Sequence, residues 1–180
     1  MTRATAVVNS LRSVLAAHLV ALLWFALDQT LKEYAVHSVP RYPQRLTPIA
    51  GVIELAYAEN RGAAWSLFSN ATLPLTVFRI VASIALLWWL TRQPASSLAR
   101  PTAVGLIVGG ALGNAFDGAT RGYVVDMLLS PTLTAVYRPL FGSEYPVFNL
   151  ADVGVVGGIA LLLWTGRTRA SKSTARPEQA

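Results

Sequence analysis

The segment GLIVGGALGNAFD, residues 105–117, decides the fold of this chain. It reads as an apolar helix in which glycine recurs every four residues, at Gly105, Gly109 and Gly113. This spacing leaves one helix face smooth, so that a second helix can pack closely against it. Asn114 and Asp117 then share one face at the end of the segment. The segment therefore predicts a tightly packed apolar helix with a polar site at its C-terminal end.

The composition around this segment is that of a membrane protein. Of 180 residues, 53% are hydrophobic and 13% are charged, whereas soluble domains carry about 25% charged residues. Four apolar stretches approach the ~20 residues that a helix needs to cross a bilayer. They cover about residues 11–27, 72–90, 101–119 and 150–164. We predict an all-α membrane protein with four transmembrane helices, in which residues 1–166 form a single membrane-embedded domain.

The positive charges predict how these helices are oriented. The flanks before the first stretch, between the second and third, and after the fourth carry eight Lys and Arg residues and one acid. The opposite side carries six cations, and an excess of cations marks the cytoplasmic side. We therefore expect both termini in the cytoplasm, with the first stretch as an uncleaved anchor. The polar tail, residues 167–180, is predicted to be disordered.

Several functional classes are excluded by composition. The chain has no cysteine, which excludes disulfides and a thiol nucleophile. Its two histidines, His18 and His37, lack the spacing of metal ligands, so we expect no metal and no cofactor. The net charge of +6 comes from cations at the ends of apolar stretches. Topology and anionic lipid account for such cations, so we do not expect nucleic acid as a partner.

Two long connections lie on the outer side of the predicted membrane. In the first, residues 52–59 alternate, with Ile53, Leu55 and Tyr57 on one face, which predicts a small extramembrane β-sheet at the bilayer surface. The second, residues 128–147, contains three prolines and is predicted to be irregular. It is either a flexible outer loop over a site or a disordered connector.

The conspicuous polar residues cluster at the outer ends of the predicted helices. Chance would distribute them over both sides of the membrane. Their clustering indicates a site at the outer membrane–water boundary. The residues are Asp28, Asn114, Asp117, Asp126, Asn149 and Asp152.

Two of these aspartates suggest chemistry. A carboxylate at the edge of hydrocarbon is costly unless it is paired or functional. Asp126 has no capping pattern around it, and its alternative interpretation is a surface residue at the start of a loop. Asp152 has the alternative of a helix cap, since Asn149 and Asp152 form a capping-box-like pair. Close packing of the third and fourth stretches, through glycines such as Gly154, would bring the two carboxyls together to share one proton.

Two cations are predicted to be structural. Lys32 follows Asp28 by four residues, which predicts an interfacial ion pair at the end of the first stretch. Arg79 lies about two turns inside the second stretch. It either extends outward to the interface or forms a salt bridge with Asp117, and we expect the salt bridge.

Five short blocks, in this order, resemble the lipoprotein signal peptidases (signal peptidase II) of bacteria. Each block is weakly specific alone, but together they cover nearly the whole chain from about residue 11 to about residue 164. The blocks are Asp28-Gln29 with Lys32, residues 60–66 (NRGAAWS), residues 109–114 (GGALGN) with Asp117, residues 122–126 (GYVVD) and residues 148–152 (FNLAD).

This resemblance implies an aspartic endopeptidase in the bacterial cytoplasmic (inner) membrane, with its active site at the outer face. Such an enzyme removes the signal peptide of a prolipoprotein by cutting before the diacylglyceryl-modified cysteine. The implied catalytic dyad is Asp126 and Asp152. Membrane lipids are implied partners, globomycin is the implied inhibitor, and the chain is expected to act as a monomer. Supporting or substrate-binding positions are Asp28, Lys32, Asn60, Gly62, Asn114, Asp117, Arg121, Asn149 and Ala151.

The chain departs from the family pattern at one position. Where the family usually has arginine after the aspartate of Asn-x-x-Asp, this chain has Gly118. Arg121, one helical turn further on, is a candidate replacement for that cation. The segment between Asp126 and Phe148 also looks longer than in many members.

Two rival functions follow from the same residues. A small transporter or proton-coupled channel also uses intramembrane acids and glycine-packed helices. Against it, the acids gather at one face and no inverted repeat is visible. A binding protein for lipid-modified peptides is the second rival. It would keep binding after Asp-to-Asn changes that abolish turnover.

Overall fold

The computed structural model describes residues 3–62, 72–93 and 97–174. Within these ranges the chain is mostly helical and contains one small antiparallel sheet. The elements in chain order are α1 (Arg3–Ser38), β1 (Leu46–Ile49), β2 (Ile53–Asn60), α2 (Thr72–Thr91), α3 (Ala99–Thr120), β3 (Val124–Leu129), α4 (Pro131–Phe141) and α5 (Leu150–Thr174).

Helix α3 is the centre of the bundle and packs against α1, α2 and α5. Its glycines permit these contacts, as the sequence predicted. A Cβ at Gly109 would lie 2.6 Å from the carbonyl oxygen of Ala21, and one at Gly110 would lie 2.3 Å from that of Ala151. The stripe that contains Gly109 therefore faces α1, whereas the neighbouring stripe faces α5. The predicted glycine stripe thus packs against α1, and the close approach to α5 is made at Gly110.

Among the described residues, two helices are long and apolar enough to cross a membrane, namely α1 over Val8–Ser38 and α2 over Thr72–Thr91. The apolar part of α5, Leu150–Gly166, is shorter than these two helices. Helix α3 contains many glycines and buries most of its residues against its neighbours. Large apolar side chains on the outer helices, such as Leu23 and Phe78, remain exposed.

The sheet has the strand order β1-β2-β3. The predicted strand over residues 52–59 is confirmed as β2. Strand β3 was not predicted; it pairs antiparallel with β2, so that Asp126 lies opposite Ala58. Val125 and Met127 of β3 pack with Tyr57 of β2 and Ala35 of α1 in a small apolar core. This core fixes the sheet on the end of α1.

The prediction that residues 128–147 are irregular is wrong, because this segment contains α4. The Ser130 side chain accepts a hydrogen bond from the Leu133 N–H at 3.2 Å, and Pro131 occupies the first turn. Both are favourable at a helix start. Gly142, with a φ of 74°, ends the helix in the left-handed conformation. Pro131 and Pro139 thus mark the start and the last turn of a helix.

Two helices are longer than the sequence predicted. Helix α1 continues to Ser38 instead of ending near residue 27, so Asp28 and Lys32 lie within the helix. Helix α5 continues to Thr174. The predicted disordered tail, 167–180, is therefore helical at its start, and residues 175–180 lie outside the described residues.

Candidate active site

Asp126 is a buried carboxylate held by two amide groups. Asp126 is 4% exposed and lies on β3, which pairs with β2 and, at Leu128, with Phe148 just before α5. One carboxylate oxygen accepts a hydrogen bond from Asn149 Nδ2 at 2.7 Å. The other accepts from Asn60 Nδ2 at 3.0 Å. The amides orient the carboxyl without supplying an opposite charge.

Asp152 lies in the first turn of α5 and is partly exposed. Its N–H donates to Asn149 Oδ1 at 3.0 Å, while the Asn149 N–H donates to Asp152 Oδ2 at 3.2 Å. The predicted reciprocal capping pair is therefore confirmed. The other carboxylate oxygen of Asp152 accepts from Asn114 Nδ2 at 2.9 Å. Asp152 is thus both a cap and a member of the polar site.

Asn114 and Asn149 join the two carboxyls. Asn149 Nδ2 contacts Asp126 and also donates to Asn114 Oδ1 at 3.0 Å. Asn114 in turn contacts Asp152. The structure therefore brings Asp126 and Asp152 into one hydrogen-bonded group, as the sequence predicted.

The environment changes the acidity of Asp126. Burial raises the pKa of its carboxyl to about 7, and the neighbouring charge of Asp152 acts in the same direction. Hydrogen bonds from Asn60 and Asn149 act in the opposite direction, because they stabilise the ionised form. A carboxyl that titrates near neutrality can both accept and donate a proton, which suits general acid–base chemistry.

A second charged group lies beside this pair. Lys32 Nζ is 2.8 Å from Asp28 Oδ2 and 3.0 Å from Asp117 Oδ2, and all three side chains are fully buried. Lys32 Nζ also donates to Asn114 Oδ1 at 2.8 Å. The predicted pairing of Asp28 with Lys32 is confirmed, although it is buried in the bundle instead of interfacial.

The carboxylates bound by Lys32 also hold the backbone next to Asp126 and Asp152. Asp117 Oδ2 accepts from the Val125 N–H at 3.0 Å. Asp28 Oδ1 accepts from the Ala151 N–H at 2.8 Å. Val125 and Ala151 are the residues that immediately precede Asp126 and Asp152. Since Lys32 contacts both accepting carboxylates, it links the start of β3 to the start of α5.

The remaining predicted site residues lie around this centre. The Gly62 N–H donates to Asn60 Oδ1 at 3.1 Å and so orients the amide that contacts Asp126. Arg121 forms an ion pair with Glu33 and lies 3.4 Å from Asp117. Residues 63–66 of the second family block are outside the described residues. In the described ranges, no cluster of His, Cys, Asp and Glu has the arrangement of a metal site.

The expected salt bridge of Arg79 is wrong. Among the residues that the structure describes, no carboxylate lies within 4 Å of its guanidinium, and Asp117 is held by Lys32 and Arg121. The Arg79 charge nevertheless interacts electrostatically with Asp152, Asp126 and Asp117. The sequence analysis did not predict that Arg79 would interact with Asp126 and Asp152. A cation inside an apolar helix was the signal that could have indicated it.

The fold is that of a helical membrane enzyme. One solved structure, described as a bacterial membrane enzyme, superposes with a TM-score of 0.74 at 24% identity, over 91% of this chain and 93% of its own. A second structure with the same description gives 0.69 at 26% identity, over 83% and 90%.

Sequence comparison identifies the family. The model described as signal peptidase (SPase) II matches residues 20–167, and the chain belongs to this family. It is similar to the lipoprotein signal peptidase of Deinococcus radiodurans, at 39% identity over 79% of this chain and 74% of that protein. The lipoprotein signal peptidase of Clostridium acetobutylicum is 35% identical over 80% and 88%. The resemblance in the five blocks is thereby confirmed.

Proposed function

We propose that this protein is an aspartic endopeptidase that removes signal peptides from prolipoproteins, cutting before the diacylglyceryl-modified cysteine. Family membership supports the substrate class. The observation that carries the mechanism is the grouping of Asp126 and Asp152 through two asparagines, with no cation in hydrogen-bond contact with either carboxyl in the described residues.

In this mechanism the two carboxyls share one proton, because two adjacent like charges do not ionise together easily. The ionised member removes a proton from a bound water, and the resulting hydroxide attacks the scissile carbonyl. The protonated member donates to the carbonyl oxygen, and a proton then passes to the leaving amine as the C–N bond breaks. The titration belongs to the pair, so neither residue is assigned the proton.

The other predicted site residues keep this geometry. Asn60, Asn114 and Asn149 orient the carboxyls through their amides. Asp28, Lys32 and Asp117 hold the backbone at both ends of the dyad, with Gly62, Ala151 and Arg121 in supporting positions. Chemistry of this type needs neither a metal nor a cofactor.

The membrane arrangement belongs to the same proposal. Helices α1, α2, α3 and α5 cross the bacterial cytoplasmic membrane, with both termini inside. The dyad then lies at the outer face, since α3 ends and α5 begins there beside the sheet. A monomer of this kind admits the substrate sideways from the lipid, so that its acyl chains stay in the bilayer. Globomycin is the inhibitor expected from the family.

The test is cleavage of a diacylglyceryl-modified prolipoprotein by purified protein in detergent. Wild type is compared with Asp126→Asn and Asp152→Asn, and Glu144→Gln removes a carboxylate from the outer segment without touching the dyad. Each dyad variant should lose turnover by about a thousandfold, within the range of general acid–base catalysis, while substrate binding persists. Glu144→Gln should cleave normally.

Other outcomes separate the rivals. Wild type that binds the peptide without cleaving it would identify a binding protein. Near-normal turnover by either dyad variant would make that aspartate structural and the mechanism wrong. Ion or proton flux through reconstituted wild type, without cleavage, would favour a transporter.

A further inference from the structure

Arg79 occupies the face of α2 that contacts α3. The buried residues of α2 are Thr76, Ser83 and Leu90, which recur every seven positions. Arg79 lies three residues after Thr76 and four before Ser83, which places it on the same stripe. Its side chain is partly buried. An arginine at a helix interface is costly unless it is paired or functional.

The depth of Arg79 in the bundle follows from Gly118. A Cβ at Gly118 would lie 2.1 Å from Thr76 Oγ1, so the start of α2 touches the end of α3 at this point. The two helices are therefore antiparallel, and Arg79 lies one turn deeper, at the level of Asn114. Asn114 donates the hydrogen bond to Asp152. Along the bundle, Arg79 is thus at the depth of the dyad.

The charges around Arg79 explain why this position is useful. The carboxylates with which it interacts electrostatically are, in decreasing order, Asp152, Asp126 and Asp117. Asp117 already has Lys32 at 3.0 Å, whereas among the described residues the dyad has only amide partners. The uncompensated negative charge near Arg79 is therefore that of the dyad.

We propose that Arg79 is a positioning residue that keeps the Asp126–Asp152 pair singly ionised at the pH at which the enzyme works. The proposal rests on the proposed peptidase function. A nearby cation stabilises the ionised member of the pair, which must accept the proton from water. Arg121 does not serve this purpose, because it is paired with Glu33 and Asp117. Gly118 allows the approach, since it leaves room for Thr76 and so for α2.

The test is the pH profile of kcat/KM for peptide cleavage. Removing the cation with Arg79→Met should move both limbs of the profile to higher pH by about one unit, the lower end of the effect of a nearby opposite charge. Arg79→Lys keeps a charge and should leave most of the profile in place. Arg92→Met removes the same charge from the far end of α2, where Arg92 stacks on Trp88, and should change nothing.

The other charged groups that face the dyad stay constant in these variants. They come from α1 and from the C-terminal end of α3, and they are Asp28, Lys32, Asp117 and Arg121. A merely structural role of Arg79 would lower kcat/KM without moving the profile. Superimposable profiles for wild type and Arg79→Met would therefore overturn the proposal.

The outcomes also separate this inference from the function itself. Absence of cleavage by wild type would remove the proposed function, whereas cleavage with an unshifted Arg79→Met profile would remove only the role of Arg79. If Arg79→Met does not fold, Arg79→Gln removes the same charge and gives the same test. A shift by the lysine variant of a full unit or more would show that charge is not what this position supplies.

Discussion

Two pairs of aspartates lie side by side at the same end of this bundle, and they are held by different chemistry. Asp28 and Asp117 share the ammonium of Lys32, at 2.8 and 3.0 Å. In the part of the chain that the structure describes, Asp126 and Asp152 contact only asparagine amides and one backbone N–H group. A lysine between two carboxylates supplies an opposite charge to both, whereas amides orient a pair of carboxyls without supplying one.

The difference shows how one sequence places a charge-paired group next to a pair of carboxyls that contacts no cation among the described residues. The Lys32 ammonium contacts Asp28, Asp117 and Asn114 inside the bundle. The two carboxylates in turn accept hydrogen bonds from the backbone N–H groups of the residues that precede Asp126 and Asp152. These contacts fix the geometry of the dyad. The charge of Lys32 is paired with Asp28 and Asp117. Asn114 is the contact between the Lys32 group and the dyad, since it accepts from Lys32 and donates to Asp152.

Removing Lys32 should cause the largest loss of stability among these variants. Lys32→Met leaves Asp28 and Asp117 buried without their cation, so the free energy of unfolding should fall by about 3–5 kcal/mol. The measurement is unfolding of purified protein in detergent. Arg41→Met is the matched control, because Arg41 pairs with Glu59 at an exposed position. Its loss should cost less than about 1 kcal/mol.

The triple variant Lys32→Met, Asp28→Asn, Asp117→Asn sharpens this test. It removes the two stranded charges together with the lysine, so it should recover part of the lost stability. A Lys32→Met protein as stable as wild type would show that the ion group does not organise the bundle.

Titration of Asp126 should give the next largest effect. Burial raises its pKa to about 7 from 3.8, so the folded protein retains a proton that the unfolded chain releases. Stability should therefore fall as the pH rises from about 4 to about 7, by up to about 1.4 kcal/mol per unit, and level off above. Asp126→Asn should flatten this slope. Thermal unfolding between pH 4 and 8 measures it.

Glu144→Gln is the control for the pH experiment, because Glu144 is paired with Arg45 and Arg138 in the outer segment. It should keep the wild-type slope over this range. If the curves of Asp126→Asn and wild type run parallel, Asp126 does not titrate near neutrality and the contrast between the two pairs fails.

The sequence predicted the parts of both pairs that depend on helix geometry. Asp28 with Lys32, and Asn149 with Asp152, are four and three residues apart on their helices, and both pairings are present. The contact of Lys32 with Asp117 joins α1 to α3, and no local pattern reveals it. Strand β3, which carries Asp126, was not predicted because the apolar run around this residue was too short to identify a strand.

Contacts in the folded chain also explain the other places where the structure differs from the sequence-based predictions. Pro131 and Pro139 suggested an irregular segment, yet the cap at Ser130 and the end at Gly142 define α4. Arg79 was assigned to Asp117, but that carboxylate is already occupied by Lys32 and Arg121. Competition among three cations for one carboxylate is a property of the folded bundle and not of any single helix.

A mutation of Asn114 removes the contact between the Lys32 group and the dyad. Asn114→Ala removes one hydrogen bond from Asp152 and one acceptor from Lys32. Hydrogen bonds to charged groups contribute about 1.5–3 kcal/mol, so kcat/KM for cleavage should fall by roughly tenfold to a hundredfold. Thr120→Ala, at an exposed position of the same helix end, is the control. Unchanged cleavage by Asn114→Ala would mean that the dyad keeps its geometry without this bridge.

The smallest effect is expected at Gly118, beside Asp117. A Cβ there would lie 2.1 Å from Thr76 Oγ1, so Gly118→Ala should lower the free energy of unfolding by about 1 kcal/mol, the low end of overpacking. Thr76→Ala should relieve this cost, because the next nearest atoms are 3.3 Å and 3.5 Å away.

The double variant isolates the contact between α2 and the end of α3. Thr76 Oγ1 is buried without a hydrogen-bond partner in the described structure, so Thr76→Ala alone should be neutral or slightly stabilising. The loss in Gly118→Ala should then disappear in Gly118→Ala, Thr76→Ala. If the double variant stays as unstable as Gly118→Ala, the strain does not arise at Thr76. The ion group at Asp117 would then be the part of the molecule that a side chain at position 118 disturbs.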